Sequence, residues 1–488
     1  NLAGDNMKKL LNKKNQSIII FTFILLFLIH LPLMTKNIIS ADILLNNYFY
    51  NGYSWEISLG RFGLYIVGII KSFITIPHID LIISYILISI TVVLIIDLFK
   101  IKDKIKIILI ILVITLNPIT SATLLFNYCS IGYTLALLSS TLAIYLYKNI
   151  KNKYLKILFP TTLIIIALSM YQAYLSLIVT LFIVYLLFEI LNKKDIKDTL
   201  KYLLVIILGI ISYFIVMKLS LQVFHINMSN YSNANNIDIK ILLNIPQKII
   251  DSYKLFYQFY FTNNIIKNTF IHNDMINLLI IIIILIELIY KTVKNKLSTI
   301  NKLLILLIIL LIPIALNSVI FVISDTKLQL LMASSYLLIP IIMILLIENS
   351  KKNISLLILI LLFRNNIIQT QSTYLTLENT FNKYNLVIST AIKENINDLD
   401  KSYAIIGKAP KQKDNISKLN YGFISDDSIF WKEYNLRKLG LTRFCKEYYG
   451  LNINYVDENK AKHLEDNTTN KLIETKDNTI VINLDYLK

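Results

Sequence analysis

Eleven apolar stretches decide what this chain can become. They fall at roughly 17–34, 79–98, 106–118, 130–147, 157–171, 174–190, 203–224, 276–290, 303–323, 329–347 and 354–369, and most are dominated by Ile and Leu. A segment needs about 20 apolar residues to cross the hydrocarbon of a bilayer as a helix, so stretches of this length read as membrane spans. With 55% hydrophobic residues in 488, the chain reads as a polytopic α-helical membrane protein and not as a soluble globule. Lys8, Lys9, Lys13 and Lys14 precede the first stretch, and no small-residue cleavage site follows. Met7 therefore reads as a start, and the first helix as uncleaved.

The positive charge orients the spans. With the N-terminus (1–16) in the cytoplasm, segments 1–16, 99–106, 148–156, 191–202, 291–302 and 348–353 hold 22 Lys and no Arg. The opposite loops, 35–78, 117–130, 171–174, 224–275 and 324–329, hold 8 Lys and Arg in nearly double the length. Basic residues concentrate on the cytoplasmic side of membrane proteins, and each cytoplasmic loop here obeys that rule. The net charge of +18 is thus explained by topology and a Lys-rich composition, without a nucleic-acid partner. The same alternation puts residues 370–488 outside the cytoplasm. That tail has 16 acidic residues against 17 Lys and Arg, strand-like SYAIIG (402–407) and TIVINL (479–484), and a helix end closed by Gly in FCKEYYG (444–450). It reads as a small α/β or α+β domain following a membrane domain that occupies 17–369.

The outer loop 35–78 differs from the others. It is long, is too polar to span, and carries two amphipathic stretches, 41–51 and 57–73. Its aromatic residues, among them Tyr48, Tyr50, Trp55 and Phe62, suit the headgroup layer, so the stretches read as interfacial helices. Within it lie Asp42, Glu56 and Arg61. A helix capped by Ser40 puts Asp42 in its first turn, where a carboxylate can take a proton from an acceptor hydroxyl. Arg61 can grip a phosphate with two parallel hydrogen bonds, a geometry Lys lacks. Only four Arg occur against 45 Lys, so an Arg in this loop draws notice.

Further candidate substrate contacts lie on the same side. Tyr171 and Gln172 mark a tight turn between two spans, Asp325 and Lys327 another short turn, and Arg364 stands near the outer end of the last span. Within the other long outer loop, 224–275, the Asn-rich stretch SNYSNANNID (229–238) reads as a linker. Asp97, Glu189 and Glu287 fall at cytoplasmic span ends and are expected to pair with nearby Lys. Two cysteines, Cys129 and Cys445, cannot build a disulfide framework, and no zinc spacing exists. No P-loop, GxGxxG, HExxH or GxSxG is present, and the loops lack the DxD of many nucleotide-sugar transferases; DLD (398–400) lies in the tail. Nucleotide sugars stay in the cytoplasm. An outer-face transferase would therefore draw on a polyprenyl-phosphate sugar, whose lipid lies between helices with its phosphate at the headgroup layer.

Four features together resemble the bacterial GtrII-like glucosyltransferases, of the GT-C class of membrane transferases. They are Asp42 after the first span, Gly60-Arg61-Phe62 where the family commonly shows Gly-Arg-Trp, Tyr171-Gln172-Ala173 between two spans, and the span at 126–147. The family often has paired acids after the first span; here Ile43 follows Asp42. The resemblance implies a GT-C-like fold in a bacterial inner membrane. It implies inverting transfer of glucose or a related hexose from undecaprenyl phosphate to O-antigen or another surface glycan, without metal or with a weak dependence on a divalent metal. Asp42 would be the base and Arg61 the phosphate contact, aided by Arg364 or Lys327. A polymerase or ligase of lipid-linked glycans fits the same architecture. A transporter or flippase fits less well, because no inverted repeat or facing membrane-buried charges are evident.

Overall fold

The computed structural model describes residues 12–36, 38, 46, 50, 54–229, 244–262, 273–322, 329–348, 352–394, 401–407, 442–446, 449–466, 471–483 and 485. The chain forms two compact units, Asn1–Leu31 with Tyr48–Thr370, and Pro32–Asn47 with Gln371–Lys488.

The first unit is a bundle of apolar helices. Among the described residues, eight are long and apolar enough to cross a membrane: Pro77–Leu98, Asn127–Asn149, Lys153–Met170, Tyr174–Leu191, Lys197–Val223, Asn273–Lys294, Thr299–Leu316 and Asn353–Asn379. The count rises to nine if Lys104–Thr115 and Pro118–Leu125, bent by 45°, act as one span. In their described parts the eleven apolar stretches fall on helices, but besides the bent pair two of these are short. Lys13–Ile29 has 17 residues, and Ser334–Leu346 is shorter still. The bend is explained by Asn117-Pro118. Proline lacks an N–H and cannot continue the preceding helix, yet it suits the first turn of a new one, which Asn117 caps by accepting from Ile119 N at 3.0 Å.

Tyr174–Leu191 runs through the centre, 89% buried over its apolar window, whereas Lys197–Val223 and Asn273–Lys294 are 28% buried and lie at the periphery. With 11 glycines in the whole chain, several helices end without one. Lys100, Lys193, Lys296 and His225 adopt left-handed backbone just past a helix end. The following N–H then reaches back to a free carbonyl, as from Ile101 to Ile96 at 3.0 Å and Lys194 to Glu189 at 3.0 Å.

At the end of the bundle that the Lys pattern assigns to the cytoplasm, Lys148 bridges Glu189 at 3.2 Å and Asp198 at 3.3 Å. Lys156 meets Asp198 at 2.6 Å, and the Thr199 hydroxyl donates to Glu189. The pairing expected of Glu189 is therefore present. Asp97 differs: it accepts from the Asn15 amide at 3.1 Å, while Lys14 donates to the Ile101 carbonyl. Asn15 is buried and faces Asp97 directly, whereas the longer Lys14 side chain is spent on a free helix-end carbonyl.

The loop 35–78 also departs from expectation. The stretch 41–51 lies almost wholly outside the described residues. The stretch 57–73 is not one interfacial helix: Ser54–Ser58 and Phe62–Ile70 are separate helices broken at Gly60. Phe62, Leu64 and Val67 are buried along with Tyr50, while Trp55 and Ile70 stay exposed. The loop is thus wedged into the bundle by one face, which an amphipathic pattern alone does not separate from lying on a membrane surface.

In the second unit, β1 (Ser402–Ile406), β2 (Ile473–Lys476) and β3 (Thr479–Asn483) form a sheet of order β1-β3-β2. β1 runs parallel to β3 with Ser402 opposite Thr479, and β2 is antiparallel to β3. Asp477 and Asn478, both at positive φ, make the two-residue hairpin turn, a conformation that Asp and Asn tolerate. Ala404, Ile406 and Val481 pack with Ala461 and Leu464 of the helix Glu458–Asp466. Gly450, at φ +67°, closes the short helical turn before it, as its position in FCKEYYG predicts. Lys36 meets Glu378 at 2.8 Å, joining the two segments of this unit. The helix Lys352–Glu394 continues 25 residues past the apolar stretch that ends at 369, because polarity ends a membrane span without ending a helix.

Candidate functional site

The site is built on a helix ending. Ser54–Ser58 stops when Gly60 turns left-handed at φ +79°. Gly60 N then bonds Ile57 O at 2.9 Å, and Arg61 N bonds Glu56 O at 2.8 Å. This pair of bonds defines the Schellman closure. It brings position 61 back beside position 56, so that Arg61 Nη1 lies 3.4 Å from Glu56 Oε2. A five-residue separation would not face these side chains on a continuous helix.

Neighbouring spans lock the turn. Gln172 Nε2 donates to Leu59 O at 2.6 Å and to the Tyr213 hydroxyl at 2.9 Å, and that hydroxyl donates to Gly60 O at 3.0 Å. A β-carbon at Gly60 would sit 2.7 Å from the Tyr213 hydroxyl and 2.8 Å from Met217 Sδ. Conformation and close packing both demand glycine there. Gly60→Ala is therefore expected to destabilise the fold by about 1–3 kcal/mol and to lower the melting temperature of the purified protein. An unchanged melting temperature would contradict this packing.

Arg61 is held from two sides. Its guanidinium lies 4.7 Å over the Tyr171 ring, which packs 5.2 Å from Tyr133, and Glu56 stands at its end. Glu56 is itself fixed, because the Tyr50 hydroxyl donates to Oε1 at 2.7 Å. Phe62 stacks on Tyr213 and anchors the far side of the turn. Burial disfavours the Arg61 charge, but the adjacent Glu56 carboxylate outweighs it, and the guanidinium is held more firmly charged than usual. Burial, reinforced by Glu56, likewise pushes the Tyr50 hydroxyl well above the ordinary phenol value, so Tyr50 remains a donor. Arg61 Nε is buried with no hydrogen-bond partner among the described residues. A fixed cation with an unused donor can receive an anion, and a guanidinium matches phosphate oxygens in shape.

A second charged pair lies close by. Lys71 meets Asp80 at 2.5 Å and donates to Tyr128 O at 3.3 Å. Tyr50, Val67, Gly68, Lys71, Tyr128 and Cys129 line a small pocket there. Tyr50 belongs to both places, with its hydroxyl on Glu56 and its ring 4.8 Å from that of Tyr128.

Four of the residues singled out in the sequence thus come together: Glu56, Arg61, Tyr171 and Gln172. Asp42, Asp325 and Lys327 lie outside the described residues. Arg364 is exposed and bonds its neighbour Asn365 at 3.1 Å. Tyr50, Tyr133 and Tyr213 were not legible as site residues, since in a chain with 30 tyrosines nothing distinguishes three of them. Among the described residues no group of three His, Cys, Asp or Glu is placed to hold a metal ion.

The family model for Glucosyl transferase GtrII matches residues 31–346. The chain belongs to the GtrII glucosyltransferase family. The match begins at the end of the first helix and takes in the whole Arg61 cluster. No curated protein and no solved structure matches the chain. With its apolar helices, this GtrII member is a multi-pass membrane glucosyltransferase.

Proposed function

We propose that this GtrII protein transfers glucose, or a related hexose, from a polyprenyl-phosphate donor to a surface glycan such as O-antigen on the non-cytoplasmic face of the bacterial inner membrane. The observation that carries the reading is Arg61: an Arg in a Lys-rich chain, half-buried, charged, held by Glu56 and Tyr171, and with an unused, buried Nε–H. A glucosyltransferase must stabilise its leaving group, and a lipid phosphate leaves as an anion.

In this scheme an acceptor hydroxyl attacks the anomeric carbon as the bond from that carbon to the phosphate oxygen breaks. The phosphate takes the electron pair, and Asp42 takes the hydroxyl proton. Charge grows on the departing oxygens, where a preorganised guanidinium stabilises it most. Attack opposite the leaving group inverts the anomeric centre. Both Glu56 oxygens are engaged, by Tyr50 and Arg61, so Glu56 serves as the anchor of Arg61 while Asp42 acts as the base. Gln172 and Tyr213 keep the Gly60 turn in register, and Tyr171 holds the guanidinium plane. Asp325, Lys327 and Arg364 remain candidate contacts to donor or acceptor from the same face.

Purified protein in lipid nanodiscs, given radiolabelled donors and a glycan acceptor, tests the scheme. Transfer is expected from polyprenyl-phosphate glucose and not from UDP-glucose. Transfer from the nucleotide sugar, or only from a pyrophosphate-linked oligosaccharide as for a polymerase, would overturn it.

A further inference from the structure

The membrane helix Asn353–Asn379 has two unlike faces. Leu357, Ile360 and Ile367 are exposed, as is Arg364. Asn365, Asn366, Gln369 and Thr370 are buried, at 3% exposure or less. Their spacing of one, three and one residues places them on a single helical face, opposite the exposed one. Asn365 and Thr370 reach neighbouring helices. Asn365 Nδ2 donates to Asn273 Oδ1 at 2.7 Å, and the Thr370 and Ser121 hydroxyls are 2.9 Å apart.

Polar side chains inside a membrane bundle commonly join helices by such bonds. That accounts for Asn365 and Thr370. It does not account for Asn366, whose Nδ2 is buried with no hydrogen-bond partner among the described residues. A buried amide left unpaired is costly, which makes it a place to look for a ligand.

The chemistry of the face is specific in kind. It is made of amides and hydroxyls, which both donate and accept, and no charged side chain is among its buried members. An anion would call for Arg or Lys. Sugar hydroxyls also donate and accept, and they match this inventory. Its location is also suitable. Ser121 lies in Pro118–Leu125, which leads through Phe126 to Tyr128, and the Tyr128 ring packs on Tyr50, the residue that holds Glu56.

We propose that Asn365, Asn366, Gln369 and Thr370, with Ser121, form a binding wall for the hydroxyls of an uncharged sugar, with Asn366 donating from Nδ2. The proposal rests on the transferase reading and names the face that would hold a sugar ring while Arg61 holds phosphate. The hydroxyls could be those of the donor hexose or of the acceptor glycan.

Asn366→Leu tests it. Leu keeps the branched shape of Asn and removes the unpaired amide, so the variant is expected to fold and melt no lower than wild type. Binding of methyl glucoside and of a neutral oligosaccharide to the purified full chain would be followed by saturation-transfer NMR, alongside steady-state kinetics. Wild type is expected to bind saturably and the variant at least tenfold more weakly, with KM raised for donor or acceptor; which KM moves tells whose hydroxyls are held. Binding of polyprenyl phosphate without a sugar should stay unchanged, since Asn366 makes no contact to phosphate in this scheme. Absence of saturable sugar binding to wild type, or equal binding by the variant, overturns the proposal. Loss of sugar binding together with an absence of phosphate binding would keep the wall and remove the Arg61 reading.

Discussion

Arg61→Lys is expected to lower kcat/KM for the lipid-linked donor by about 100-fold, or ~2.7 kcal/mol of transition-state stabilisation. Lysine keeps the charge, so simple electrostatic attraction to an anion survives. What it loses is the planar fork and the stacking on Tyr171, 4.7 Å away. It also changes the partner of Glu56, because a flexible ammonium can fold onto that carboxylate and neutralise it. The loss should appear in both kcat and donor KM, since a phosphate contact exists in the ground state and strengthens as the bond to the sugar breaks. Acceptor KM should not move. Kinetics within threefold of wild type would mean that Arg61 only closes the turn to Glu56.

The larger effect belongs to Asp42→Asn. Loss of a general base lowers turnover by roughly 10²–10⁴-fold, and the upper part of that range is expected because Glu56, the other acid of the loop 35–78, is already engaged. Glu56 accepts from Tyr50 at 2.7 Å and faces Arg61 at 3.4 Å, so taking up the proton would break one of these contacts. Asparagine preserves the shape of the side chain, and donor binding and membrane insertion are expected to stay normal. Measured single-turnover transfer at saturating donor is the readout. Near-normal turnover in Asp42→Asn would give the proton to another group and leave Asp42 a structural role.

Much of the bundle could be read from the chain because hydrophobic runs and Lys-rich connections are local signals. The tail strands at 402 and 479 and the Gly450 stop were readable for the same reason. Other features depended on tertiary contacts. Glu56 and Arg61 are five apart, a spacing that promises nothing until Gly60 turns left-handed and folds one onto the other. Phe62 and Tyr50 look like headgroup-layer rings, yet they are buried because the loop inserts an edge into the bundle. Tyr213 is one more ring in an apolar run, and only its hydrogen bond to Gly60 O marks it. The amides at 365, 366 and 369 carried a signal that was open to reading. Polar residues repeating on one face of a span need partners or a ligand, and the apolar average of the stretch conceals them.

The most direct measurement is the affinity of the purified protein for polyprenyl phosphate lacking a sugar, by calorimetry in nanodiscs, for wild type against Arg61→Lys. The bare lipid phosphate needs neither Asp42 nor an acceptor, so only the proposed anion site is read. Wild type is expected to bind it saturably, with affinity falling at least tenfold in Arg61→Lys. Equal affinities would contradict a phosphate clamp at Arg61 and place the donor elsewhere in the bundle.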